Sequence, residues 1–139
     1  MNIAGIHHIA IITSDYACSK HFYTQVLGLS VISEYYREDR RSYKLNLAIP
    51  GGAQIELFSF PDAPKRLTYP EACGLRHLSF AVADLNKSVS HLEQLGICVE
   101  SVRVDDTTGK RFTFFSDPDG LPIELYETPL CQQCADFNA

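Results

Sequence analysis

The feature that most constrains this chain is that it writes one pattern twice. Residues 5–15, GIHHIAIITSD, return as residues 74–84, GLRHLSFAVAD, with Gly5 matching Gly74, His8 matching His77 and Asp15 matching Asp84. Each copy runs into a helix-like stretch and later into a Pro-x-Gly-x-x-Ile-Glu-Leu signature, PGGAQIEL at 50–57 and PDGLPIEL at 118–125. A His and a Glu therefore recur in each half, 48 residues apart in the first and 47 in the second. A repeat of this length fixes the architecture before local propensities do, because each copy must fold as the same unit.

Within each copy the periodicities read alike. Residues 6–13 alternate as a strand does, with Ile9 and Ile11 on one face and His8, Ala10 and Ile12 on the other. In the second copy Leu78, Phe80 and Val82 oppose His77, Ser79 and Ala81. The bulky face suits packing under a helix, and the face carrying the His has mostly small neighbours, which leaves room beside it. Asp15 and Asp84 are expected helix N-caps. Cys18, Phe22, Val26 and Leu27 follow the first at helical spacing, and Leu85, Val89, Leu92 and Leu95 follow the second; Gly28 and Gly96 stop the runs. Strand-like stretches then follow at 29–36, 43–49 and 54–60, and at 98–104, Arg111–Ser116 and Pro122–Glu127. Each half reads βαβββ. Residues 61–73, PDAPKRLTYPEAC, have the proline content of a stiff linker.

At 139 residues the chain is expected to form one domain, with module 1 at 3–60, the linker at 61–73, module 2 at 74–127 and a polar tail at 128–139. The net charge of −5, with no basic cluster beyond two Arg and Lys-Arg dipeptides, argues against nucleic acid or an anionic membrane as partner. No apolar run approaches the ~18 residues of a membrane span. The N-terminus has no secretory signature, and five scattered cysteines point to a reducing compartment. A cytoplasmic location is therefore expected. Cys131 and Cys134 form a lone C-x-x-C in the tail with no second pair, and read as incidental.

A single His on a strand is usually structural, and a single Glu beside apolar residues usually faces solvent. Four such residues at matching offsets, all on the faces away from the presumed core, read differently. If the halves pack with pseudo-two-fold symmetry, His8, Glu56, His77 and Glu124 converge, and imidazole with carboxylate suits one divalent ion per site: Ni²⁺, Zn²⁺, Co²⁺, Mn²⁺ or Fe²⁺. His7 is expected on the opposite face in a structural role. Phe58, Phe60 and Tyr126 fall on the faces of the two Glu and could wall a pocket, and Lys110 and Arg111 read as loop charges.

HHIAI followed by FYTQVLGL near the start, RHLSFAVAD in the middle and DPDGLPIELYE near the end resemble the vicinal oxygen chelate superfamily, and within it glyoxalase I, across residues 3–127. The resemblance implies an α+β fold: two tandem βαβββ modules forming a cupped mixed sheet with helices on its outer face. It assigns His8, Glu56, His77 and Glu124 as metal ligands, with Glu124 the leading catalytic base and Glu56 its partner. It implies a lyase that converts the hemithioacetal of a 2-oxoaldehyde and a thiol into a 2-hydroxyacyl thioester through an enediolate. A homodimer is the expected assembly, with the cleft built within one chain or from modules of two. Glyoxalase I commonly carries Arg and Asn four residues after the first His and the first Glu, to hold glutathione; here these positions are Ile12 and Phe60. The thiol stays open. Thiol transfer to an epoxide and epimerisation beside a thioester are alternatives within the superfamily, and a non-catalytic small-ligand module is the alternative outside catalysis.

Overall fold

A computed structural model describes residues 1–129. Two compact units divide the chain, Met1–Lys65 and the part from Arg66 onward, so the boundary falls inside the proline-rich segment. The first unit runs β1 (His8–Thr13), α1 (Tyr16–His21), a π-helical turn (Phe22–Val26), β2 (Ser30–Arg37), a 3₁₀ turn (Glu38–Arg40), β3 (Ser42–Ala48) and β4 (Gln54–Ser59). The second runs β5 (Leu78–Val82), α2 (Leu85–Gln94), β6 (Arg103–Val104), β7 (Arg111–Ser116) and β8 (Pro122–Glu127). The βαβββ order expected from the repeat is present twice.

Each unit builds one four-stranded mixed sheet with the same topology, β1-β4-β3-β2 and β5-β8-β7-β6. The first and last strands of a unit pair in parallel, and the remaining pairs are antiparallel. This parallel pairing sets each repeated His strand beside its repeated Glu strand. The α+β class and the paired mixed sheets agree with the expected fold.

The cores lie where period two places them. Leu45, Leu47, Ile55 and Leu57 are fully buried in the first unit, with Tyr23 packed in from the helical segment. Ile123 and Leu125 are buried in the second, with Leu85 and Leu92 from α2. The caps form as expected: Asp15 accepts from the Cys18 amide and Asp84 from the Lys87 amide, each at 3.0 Å. Gly28 and Gly96 take φ of +71° and +75°, the left-handed conformation that side chains resist.

Two expected elements differ. The first helix widens into a π turn after His21, where Leu27 N–H donates to Phe22 C=O at 3.0 Å and the turn buries Phe22, Tyr23 and Val26 together. The strand expected at 98–104 shrinks to Arg103–Val104. The preceding residues approach β7 chiefly at Glu100, whose amide donates to Phe114 C=O at 2.8 Å and whose carbonyl accepts from Thr113 Oγ1 at 2.7 Å. A single tie of that kind does not extend a ladder. Cys18, Cys73 and Cys98 are free thiols; Cys131 and Cys134 lie outside the described residues. Among the described residues, no helix is long and apolar enough to cross a membrane.

Candidate functional site

The strand registers build the candidate site one pair at a time. In the first unit Ala10 and Asn46 flank Glu56 on the neighbouring strands. His8, at the start of β1, reaches across so that its Nε2 lies 3.7 Å from Glu56 Oε2. In the second unit Ser79 and Phe114 flank Glu124, and His77 Nε2 lies 3.4 Å from Glu124 Oε2. The small residues Ala10 and Ser79 keep the space beside each pair clear.

Both glutamates depart from the solvated-face pattern that a single Glu would show. Their side chains are only 12% and 13% exposed, although each stands on the face opposite the apolar core. A carboxylate withdrawn from water this far needs a cationic or hydrogen-bonding partner. Among the described residues, the four candidates come together as these two pairs, and no group of three or more His, Cys, Asp or Glu forms a metal-holding cluster. Each pair is thus a candidate half-site that offers two donors.

The donor sets fit a divalent ion. With ligand bonds of about 2.1 Å, two donors on one tetrahedral edge stand about 3.4 Å apart. The separations of 3.7 and 3.4 Å are close to that spacing before any ion draws them in. Neutral imidazole with carboxylate is also the donor chemistry that borderline divalent metals take.

The two half-sites differ in their surroundings. Lys44 Nζ lies 2.8 Å from Glu56 Oε1, and Asn46 Nδ2 donates to the same oxygen at 3.2 Å, leaving Oε2 toward His8. Burial pushes the Glu56 carboxyl up, but the Lys44 ammonium, the His8 ring and Asn46 together outweigh it and hold the acid below its ordinary value. The reciprocal contact holds the Lys44 ammonium above its own. In the second unit the positions matching Asn46 and Lys44 are Phe114 and Phe112. Phe114 meets the His77 ring edge-on at 5.2 Å, and the Arg103 guanidinium stacks over Phe112 and Phe114. One carboxylate is clamped by an ammonium and an amide. The other is bordered by rings.

His7 corrects one expectation. β1 begins only at His8, so His7 is not held to the opposite face; its ring meets the His8 ring edge-on, with the two Nδ1 atoms 2.9 Å apart. A partner on Nδ1 orients an imidazole and leaves Nε2 for Glu56. Phe58 and Tyr126 do border the Glu faces: Phe58 lies under Lys44 and Arg37, and Tyr126 stacks on Phe112. Phe60 stacks on Phe58. Arg111 is no loop charge but a strand residue in a bidentate pair with Glu127, at 2.8 and 2.7 Å. Lys44 and Asn46 were not singled out from the sequence. Their signal was the alternation with Leu45 and Leu47, which puts them on the Glu56 face once β3 is paired with β4.

Three proteins are similar to this chain along most of its length. YwkD of Bacillus subtilis (strain 168) is 61% identical over 127 residues, covering 91% of this chain and 99% of its own. The solved structure of a glyoxalase family protein from Enterococcus faecalis is 46% identical, with a TM-score of 0.84, covering 91% of this chain and all of that one. At 26% identity, a 2-epi-5-epi-valiolone epimerase of Actinomyces sp. matches 90% of this chain and 80% of its own length. The family model described as Glyoxalase/Bleomycin resistance protein/Dioxygenase superfamily matches residues 5–125, a span that takes in both His–Glu pairs. The chain belongs to that superfamily.

Proposed function

We propose that this protein is a divalent-metal-dependent lyase of the glyoxalase I type, acting on the hemithioacetal of a small 2-oxoaldehyde and a thiol. The observation that carries the reading is the repeated pairing of a histidine, at or just before the start of one strand, with a withdrawn carboxylate on the parallel strand beside it. His8, Glu56, His77 and Glu124 hold one ion per site, the protein works as a cytoplasmic homodimer, and both modules act as one domain. The ion supplies Lewis-acid stabilisation of the negative charge that develops on neighbouring substrate oxygens.

The chain's own residues divide the remaining work. Glu56 is pinned through Oε1 by Lys44 and Asn46, so it stays put as a charged, oriented ligand. Among the described residues no hydrogen-bond donor pins Glu124 in the same way, and His77 is its ionic neighbour at 3.4 Å. Glu124 is therefore the group free to take the C–H proton from the thiol-bearing carbon. The electron pair left behind is shared with the adjacent carbonyl as an enediolate, and Glu124 returns the proton to the neighbouring carbon. The hydroxyl proton of the thiol-bearing carbon passes to the former carbonyl oxygen, leaving a thioester carbonyl beside a new hydroxyl. His8 and His77 do not move.

Ile12 favours a second reading of the substrate. It is 54% exposed, on the same strand face as His8, where a cation would be needed to hold a glutathione carboxylate. A different thiol, or an epimerisation that uses the same proton abstraction beside a carbonyl, suits that apolar position better, and one relative is named an epimerase. Apo protein reloaded with each divalent metal and assayed with methylglyoxal plus glutathione tests the reaction. Metal-dependent thioester formation supports it, whereas a loaded protein inert toward oxoaldehyde hemithioacetals of every thiol tried would refute it.

A further inference from the structure

The second unit contains a cavity of about 240 Å³ that runs from His77 and Phe114 to the segment before β5. It has room for on the order of eight waters, the scale of a small metabolite. Three arginines, Arg66, Arg76 and Arg103, border it against two glutamates, Glu71 and Glu100. With His77 neutral, the lining therefore carries one net positive charge in a chain whose total is −5.

These guanidinium groups are placed but not fully used. Arg103 lies over Phe112 and Phe114 at 5.1 and 5.4 Å, which fixes its plane and leaves its N–H edge available. Its contact with Glu100, at 2.8 Å, joins side chains 52% and 55% exposed. Arg76 meets Glu71 at 3.1 Å, with 73% and 61% exposed. Ion pairs this open to water hold weakly, so either guanidinium can exchange its glutamate for an acceptor that offers it two oxygens. The wall itself is tied down. Arg66 Nη2 donates to the Leu75 and Arg76 carbonyls, and Thr68 Oγ1 donates to Gly120 C=O at 3.0 Å.

We infer that this cavity binds the anionic end, a carboxylate or a phosphate, of the substrate whose reacting carbon lies beside His77. The inference rests on the reading of His77 and Glu124 given above and adds a substrate class to it. The Phe114 ring neighbours both groups, meeting the imidazole edge-on at 5.2 Å and lying under the Arg103 guanidinium at 5.4 Å. A molecule a few carbons long can thus place its carbonyl near His77 and its oxyanion near Arg103. Arg103 is the specificity-determining residue, with Arg76 in support.

The test uses the full-length, metal-free protein, so it does not depend on metal loading. Inorganic phosphate and acetate are titrated separately at low salt while the arginine Nε–H resonances are followed by NMR. Saturable binding of either probe in the millimolar range is expected, weakened about fivefold in Arg103→Gln, partly restored in Arg103→Lys and strengthened about twofold in Glu100→Gln. Phosphate alone, acetate alone or both identify which oxyanion fits. Arg76→Gln is a second variant in case Arg103→Gln alters the fold. No saturation with either probe, or unchanged binding in both arginine variants, overturns the inference. Failure of the protein to take up any divalent metal, beside retained anion binding, would instead refute the metal reading and leave the cavity standing.

Discussion

Replacing Lys44 by methionine isolates the contact that distinguishes the two half-sites. The change keeps the aliphatic stem and removes the ammonium 2.8 Å from Glu56 Oε1. Hydrogen bonds between charged partners contribute about 1.5–3 kcal/mol, and fully exposed ion pairs about 0–1 kcal/mol. The Lys44 and Glu56 side chains, at 21% and 12% exposure, lie nearer the buried limit. Asn46 remains to share the load, so a loss of about 2 kcal/mol is expected. The pH dependence follows from the directions of the shifts. Glu56 titrates below its ordinary 4.5 in the folded protein, so its contribution is present above pH 4.5 and lost as pH falls through the folded value. Lys44 titrates above its ordinary 10.5, so its contribution is present below that pH and lost only as pH rises through the folded value. The deficit of the variant is therefore full at neutral pH and closes on acidification. With a urea dependence of about 2 kcal/mol per M, the unfolding midpoint drops about 1 M at neutral pH. A midpoint equal to wild type at neutral pH, or a deficit that stays constant into acid, would refute the reasoning.

Two further outcomes follow from the same geometry. Glu124→Gln lowers turnover by about 10²–10⁴-fold while the protein keeps its metal, read by steady-state kinetics beside elemental analysis; full activity in a folded variant would remove Glu124 as the base. Glu127 titrates at about 2 because Arg111 donates to both its oxygens and the Leu85 amide adds a third bond. Its contribution is present above the ordinary 4.5 and lost only as pH falls through about 2. In Arg111→Gln the Glu127 carboxyl resonance is expected to titrate higher, toward the ordinary value, with the Leu85 amide still holding it below, and an unmoved titration would show that Arg111 is not the cause.

Spacing made the fold legible, because a repeat constrains both copies at once. The bounds of β7 and β8 read from sequence coincide with the structure, since Gly120 and the proline-containing turns bracket alternating runs. The segment at 98–102 is as strand-like in composition but lacks a continuous partner, which only the register of β7 reveals. The His–Glu pairs were legible as residue types at matched offsets. Their separations were not, because these depend on the parallel pairing of β1 with β4 and β5 with β8. Lys44 is hidden for the same reason: its alternation marks a face, and only the β3–β4 register puts that face beside Glu56. The arginine-lined cavity draws on the segment 66–76, which composition describes only as linker.

If the two His–Glu pairs complete one metal site, as proposed, metal stoichiometry reports it. The apo protein would be loaded with a divalent ion, freed of excess and analysed for metal, beside His8→Ala, Glu56→Ala, His77→Ala and Glu124→Ala. One ion is expected for each set of two His and two Glu, with affinity sharply reduced by an alanine in either unit. Metal retained undiminished in the alanine variants of either unit, or no metal bound by the native chain under any loading, would contradict this.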